Sequence, residues 1–346
     1  MKKIVVDAFG ADKGVGVIVK GAVDSLARRN DTVVVLVGDE EEINRELNGL
    51  KYDKSRIEVV GTTEFITNDE SPTEAIRAKT DSSLVRALEI TKNDSLVAGM
   101  VSAGSTGAVL TGAIFIVGRI RGVRRPALCP LLPTQNGGKV CLIDCGANMD
   151  CSSDWLVQFA LMANDYMKAV CGVEKPRVGL VSVGVEDKKG NALTHETFAK
   201  LKELPINFVG NMEARDALSG DYDVLVCDGF VGNVLLKSVE GTAKMVMSVL
   251  KREIMGSFAA KLGAVMMKKS FKNMKAAMNY HAFGGAAFLG VQKIIVKSHG
   301  SSNAESIAAS IEQVAKLDDL KLIDNIKTAI EGSLACIANK KTEENA

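Results

Sequence analysis

One pattern recurs along the chain and limits its fold: a short β-branched run, a glycine-bearing polar turn, then a helical stretch. It opens in KKIVVDAFGAD and returns in TVVVLVGD, SLVAGMVSAG, KVCLIDCGAN, RVGLVSVG, INFVGN, YDVLVCDGFVGN and KIIVKSHGSSN. Apolar runs without polar alternation belong to strands buried on both faces, and strands alternating with helices build a mostly parallel sheet covered on both sides. Such sheets bind ligands outside the carboxyl ends of their strands. Nearly every unusual turn here falls at such an end. The expectation is an α/β fold, a three-layer αβα arrangement with a mostly parallel sheet. It forms one large domain over residues 1–338, with a flexible tail over 339–346.

Ser95–Gly118 carries no charge and is long enough to span a bilayer. Its five glycines and five hydroxyl side chains argue otherwise, because a spanning helix wants about 20 predominantly apolar residues. The better division is a buried strand over Leu96–Val101, a tight SAGSTG loop, and a helix from about Ala108. A strand that feeds a small-residue loop and then a helix leaves backbone N–H groups open to an anion.

Composition narrows the class. Lysine plus arginine (43) nearly balances aspartate plus glutamate (42), and aromatics are 5%. Neither figure suits nucleic acid. The apolar run of MKKIVVDAFG stops at Asp7, too short for a signal-peptide core, so a cytoplasmic protein is expected. The seven cysteines lie scattered in apolar runs. Cys141, Cys145 and Cys151 lack CxxC spacing and a histidine partner, so they read as free thiols, and no metal site is expected.

Residues 244–279 depart from the alternation. Ile254, Phe258, Leu262 and Val265 recur at helical spacing, and Phe271, Met274 and Met278 follow. Between Lys251 and Lys275 stand seven basic residues against one acidic, Glu253. This reads as a protruding amphipathic helical hairpin. A core helix pair, a dimer interface, a membrane-surface contact and a dock for an acidic partner all fit it.

Familiar nucleotide motifs are missing. GSTGA lacks the lysine of a phosphate-binding P-loop, and DAFGADKG does not match dinucleotide spacing. No GxSxG elbow offers a serine nucleophile, and the only histidines are His195, His281 and His299. The turns supply donors instead: Ser102, Ser105 and Thr106; Asp144 and Asn148; Lys188, Lys189, Asn191, Thr194 and His195; Asp228, Asn233 and Lys237; His299, Ser301 and Ser302. Singly, each turn reads as a helix cap. Together they describe a pocket where a phosphate sits without a metal and where a tetrahedral oxyanion is stabilised. With no covalent nucleophile in view, a substrate phosphate would itself attack.

The strings VDAFGAD, SAGSTGA, RRPALCPLLPT, IDCGANMD, KKGNALT, FVGNMEARD, DGFVGNVLLKSVEG, FGGAAFLGV and KSHGSSNA occur in this order. The chain thereby resembles the bacterial phosphate acyltransferases of phospholipid synthesis, the PlsX family, from Lys2 to about Ile330. The resemblance implies transfer of a long-chain acyl group from acyl carrier protein to inorganic phosphate. The acyl phosphate product then serves a membrane glycerol-3-phosphate acyltransferase. It also implies a homodimer, no cofactor, and a single catalytic domain over 1–338 with a Rossmann-like αβα fold akin to phosphotransacetylases and the isocitrate and isopropylmalate dehydrogenases. On that reading Ser102, Gly104, Ser105, Thr106 and Gly107 hold phosphate together with Asn233 and either Lys188 or Lys189. His195 or His299 orients it or assists proton transfer. Asn148, Asn191 and Asp228 complete the substrate site. The basic hairpin would meet the acidic carrier protein, with the membrane surface as the other candidate. Acyl transfer from coenzyme A, and a scaffold without catalysis, are the alternatives.

Overall fold

The computed structural model describes the backbone of residues 1–277 and 284–343. Its strands are β1 (Lys2–Asp7), β2 (Thr32–Gly38), β3 (Ile57–Gly61), β4 (Val97–Ser102), β5 (Ala127–Cys129), β6 (Leu131–Pro133), β7 (Lys139–Ile143), β8 (Val178–Ser182), β9 (Phe208–Glu213), β10 (Val224–Val226), β11 (Ala286–Leu289) and β12 (Ile294–Lys297). They form two sheets. The first runs β3-β2-β1-β4-β12-β11-β5, and the second runs β6-β7-β10-β8-β9. Only β11 in the first and β6 in the second run against their neighbours. The α/β architecture with mostly parallel strands is as expected, but it is divided between two sheets. The segment 127–133 passes from one sheet to the other as β5 and β6.

The apolar runs are strands because both of their faces are covered. In β1, Ile4 and Val6 enter one core while Val5 enters another, and β2 divides Val34 and Leu36 from Val35 and Val37 in the same way. This is the two-residue period of a strand sealed on both sides. The first core also receives Cys141 and Ile143 of β7 and Val224 and Val226 of β10, so both sheets share it. The helices Ser153–Cys171 and Ala304–Asp319 fill the space between. Fully burying one such Val or Ile side chain contributes about 1.5–3 kcal/mol.

Helix starts follow the turn chemistry. Asp228 accepts the Val231 N–H at the head of Gly229–Gly256, and Asn303 accepts the Ser306 N–H at the head of Ala304–Asp319. The Gly137-Gly138 pair turns β6 into β7, with Gly137 at φ 79°. Strands β3, β5, β6 and β11 are not evident in the recurring pattern. Three of them have only three or four residues, too few to set a period.

The helix Gly229–Gly256 runs on into Phe258–Met266 and Lys268–Ala277. No residue of Phe258–Met266 is buried, and Phe258 is 85% exposed. Met278 and His281 lie outside the described residues. The last helix, Leu322–Glu343, reaches into the stretch 339–346. No helix among the described residues is long and apolar enough to cross a membrane. Six cysteines, Cys129, Cys141, Cys145, Cys151, Cys171 and Cys227, are free thiols.

Candidate active site

The chain leaves β1 for β2 and β3, then returns to β4 on the other side of β1. A crevice opens where strand order reverses in this way. Three polar residues close the adjacent strands β1, β4 and β12 in register, Asp7 beside Ser102 and Ser102 beside Lys297. Ser102 Oγ donates to Asp7 Oδ2 at 2.7 Å and accepts the Gly104 N–H at 3.1 Å. Burial pushes the Asp7 carboxyl upward, against the hydrogen bonds from Ser102 and Ser83. Gly10, at φ 96°, lies so close to the SAGSTG loop that a Cβ there would stand 2.6 Å from Gly104 N. Glycine is required at that contact.

A cavity of about 500 Å³ opens above these strand ends. Gly104, Thr106, Lys297, Ser298 and His299 line it from the first sheet. Cys145 and Gly146, after β7, face them with Asn233, Lys237 and Glu240 of the helix Gly229–Gly256. Asp144 fixes this second wall. It is fully buried and accepts N–H groups from Leu128 (2.8 Å), Cys145 (2.7 Å) and Asn148 (2.6 Å). Burial pushes its carboxyl up while those bonds oppose the shift.

The charges inside are few and constrained. Lys297 is 9% exposed, and burial pushes it down to about 8 despite the pull of Asp7 and Asp12. Its Nζ donates to the carbonyls of Ala103, at 3.3 Å, and Ser298. Glu240 is buried and accepts Lys237 Nζ at 2.9 Å. At the rim, His299 Nδ1 accepts the Ser301 N–H at 3.1 Å, which puts the proton of the neutral ring on Nε2. Partial burial lowers its pKa, and Lys237 lowers it further. The helix Thr106–Gly112 starts at Ser105 without a side-chain cap, so its first N–H groups depend on a ligand or solvent. Among the described residues, no three or more His, Cys, Asp and Glu gather as metal ligands would.

Of the residues singled out in the sequence, the cavity brings together Gly104, Thr106, Asn233, Lys237 and His299. Ser102 sits beneath it, fully buried and engaged with Asp7. Ser105 and Gly107 flank the lining, and a Cβ on Gly107 would meet Pro72 Cγ at 2.8 Å. Asn148 is buried behind the wall, its Nδ2 donating to Pro126 O and Asp144. Asp228 and Asn191 cap helices.

Lys188, Lys189 and His195 are exposed beyond the end of β8 and do not line this cavity. Their loop is held through its carbonyls: His195 Nε2 lies 3.0 Å from Lys188 O, and Asn211 Nδ2 donates to Glu186 O at 2.9 Å. Lys297 went unnoticed in the sequence because KIIVK reads as a strand with a solvated end. Its signal was a lysine closing a run buried on both faces.

A family model described as a fatty acid synthesis protein matches residues 2–324. The phosphate acyltransferase of Clostridium tetani is 46% identical over 325 residues, 94% of this chain and 97% of its own. The chain belongs to the phosphate acyltransferase family. The phosphate acyltransferase of Clostridioides difficile is 40% identical and spans 99% of this chain and 98% of its own. The protein is thus an acyltransferase, and the cavity is the candidate for its chemistry. Solved structures locate the fold. A phosphotransacetylase from Streptococcus pyogenes superposes with a TM-score of 0.57 at 17% identity, over 95% of this chain and 94% of its own. The 4-hydroxythreonine-4-phosphate dehydrogenase from Klebsiella pneumoniae gives 0.51 at 13% identity, over 92% and 98%. The acyltransferase shares its α/β fold with both.

Proposed function

We propose that this acyltransferase moves a long-chain acyl group from the thioester of acyl carrier protein to inorganic phosphate, releasing acyl phosphate and free carrier protein. The observation that carries the reading is the cavity at the strand-order reversal. It concentrates Lys297, Lys237, Asn233, His299 and the Gly104 loop around one cavity of about 500 Å³.

In the reaction a phosphate oxygen attacks the thioester carbonyl carbon. The carbonyl oxygen becomes an oxyanion, the C–S bond then breaks, and the carrier leaves as a thiolate that takes up a proton from water. A thiolate is a good leaving group, so the protein's task is to desolvate and align phosphate and to stabilise the oxyanion. Gly104, Thr106 and Asn233 are assigned to phosphate, and the Nε2–H of His299 to the oxyanion or a phosphate oxygen. Lys188, Lys189, Asn191 and His195 take no part in phosphate contact from this cavity.

Asn233, Lys237 and Glu240 stand on the same helix, Gly229–Gly256, that leads into the largely exposed stretch 258–274. That stretch presents Phe258, Leu262, Val265 and Met266 beside Lys261, Lys268, Lys269 and Lys272. A basic surface suits an acidic carrier protein, and an apolar one suits a second copy or a membrane surface. We assign the enzyme to the cytoplasm as a homodimer that works at the bilayer, where a glycerol-3-phosphate acyltransferase consumes the acyl phosphate.

The test is palmitoyl-acyl carrier protein with and without inorganic phosphate, following thiol release and trapping acyl phosphate with hydroxylamine. Phosphate-dependent release with trapped hydroxamate supports the reading. Release indifferent to phosphate overturns it, and faster release from palmitoyl-coenzyme A overturns the choice of donor.

A further inference from the structure

We propose that Lys297 is the cation that binds the phosphate acceptor, completing with its third N–H a site that two backbone carbonyls have already oriented. The assignment rests on the acyl-transfer reading for the identity of the anion, and on geometry for the site.

A lysine ammonium has three N–H donors and no acceptor. Two of those of Lys297 are spent on the carbonyls of Ala103, after β4, and Ser298, after β12. The two loops fix the ammonium in place, and one donor remains for a ligand in the cavity that the side chain lines. Among the described residues no carboxylate lies within 4.0 Å of Nζ. Asp7, the carboxylate nearest in register, is already occupied by Ser102 Oγ and the Phe9 N–H. Glu240 is occupied by Lys237.

A buried cation with no ion-pair partner is costly. An incoming phosphate removes that cost and receives a charge-assisted hydrogen bond in return. The charged and titratable groups facing the site are Asp7 and Asp12 from the first strand and its loop, Lys237 and Glu240 from the helix, the Cys145 thiol after β7, and His299 beside it. The other cation, Lys237, is half exposed and already paired. It attracts the anion without fixing it.

The experiment compares the wild type with Lys297→Met and Lys297→Arg. Binding of inorganic phosphate is measured by calorimetry without acyl donor, and KM for phosphate is measured with palmitoyl-acyl carrier protein. Loss of one charge-assisted bond predicts about a ten- to hundredfold rise in phosphate Kd and KM for Lys297→Met. The KM for the acyl donor stays unchanged, and Lys297→Arg restores part of the binding. In the wild type, kcat/KM for phosphate falls as pH rises through about 8, where Lys297 gives up its proton. In Lys297→Arg that fall disappears.

A folded Lys297→Met protein with wild-type phosphate affinity overturns the assignment. If that variant does not fold, wild-type phosphate affinity that is flat through the same pH range overturns it instead. The two readings fail separately. A wild type that binds phosphate through Lys297 yet releases no thiol loses the acyl-transfer reading and keeps this one. Phosphate-dependent release with unaltered binding in Lys297→Met does the reverse.

Discussion

Ser102 Oγ donates to Asp7 Oδ2 at 2.7 Å across two parallel strands whose ends are in register. The same oxygen accepts the Gly104 N–H at 3.1 Å, so one hydroxyl ties a buried carboxylate to the loop that forms the cavity floor. Removing it leaves Asp7 with one donor fewer and the Gly104 amide without its acceptor. A buried group left unsatisfied costs about 1–3 kcal/mol. Ser102→Ala is therefore expected to lower the unfolding free energy by about that amount, read from the urea midpoint at unchanged slope. A midpoint equal to wild type would show that the bond only fills space.

The largely exposed stretch 258–274 separates stability from function. Lys268, Lys269 and Lys272 are exposed and belong to no ion pair among the described residues, so reversing all three to glutamate should leave the unfolding midpoint where it is. Affinity for acyl carrier protein or for anionic vesicles should fall, and salt should already weaken either contact in the wild type. Carrier and vesicle binding that both survive the reversal would remove the functional reading of the basic face.

His195 and His299 were equivalent candidates in the sequence, and their surroundings now distinguish them. His195 is exposed outside the cavity with Nε2 3.0 Å from the Lys188 carbonyl, whereas His299 lines the cavity. His299→Ala should lower kcat/KM for phosphate by about tenfold or more, the scale of one lost donor to a developing anion. His195→Ala should leave it close to wild type. The reverse order in steady-state kinetics would relocate the chemistry to the Lys188–His195 loop.

Much of the fold was legible because its strands are buried on both faces. Runs such as TVVVLVG carry their assignment in composition, and β2 is buried at every position. The division into two sheets was not legible, because it turns on β5, β6 and β11, three or four residues each. The partner that ties β5 to the first sheet lies far away in the chain, Cys129 pairing with Ala287, whereas β6 pairs locally with β7 across the Gly137-Gly138 turn, Leu131 with Cys141. In the site, the Gly104 loop, Asn233 and His299 were visible as special turns at strand ends. Asn191 and Asp228 look identical in sequence and are caps, because an N-cap and an anion ligand need the same short polar side chain. Lys297 and Glu240 were hidden for the opposite reason, since each stands in an ordinary strand or helix pattern and becomes unusual only through its burial.

Glu240 gives a prediction whose sign follows from the charges around it. It is buried beside a cavity read here as an anion site, and its partner Lys237 is half exposed. Glu240→Gln keeps a hydrogen-bonding side chain of similar shape and removes the negative charge of the carboxylate that lines that wall of the cavity. Two effects should appear together. The cavity becomes more positive, so KM for phosphate should fall, by about two- to tenfold for one charge a few ångströms away in a partly screened site. The pKa of His299 should fall too. Burial and Lys237 already hold it below its ordinary value of 6.5, and Glu240 is a group that opposes them. A histidine with a depressed pKa keeps its stabilising neutral form above the unfolded value and loses that contribution as pH falls through the folded one. The variant should therefore lose slightly more stability at this residue than the wild type as pH falls below the unfolded value. Nuclear magnetic resonance titration of the three imidazoles, assigned with the His195→Ala and His299→Ala proteins, reads the second effect directly. If phosphate KM rises in Glu240→Gln, or the His299 titration moves up in pH, the anion does not sit against Glu240 and its position in the cavity must be redrawn.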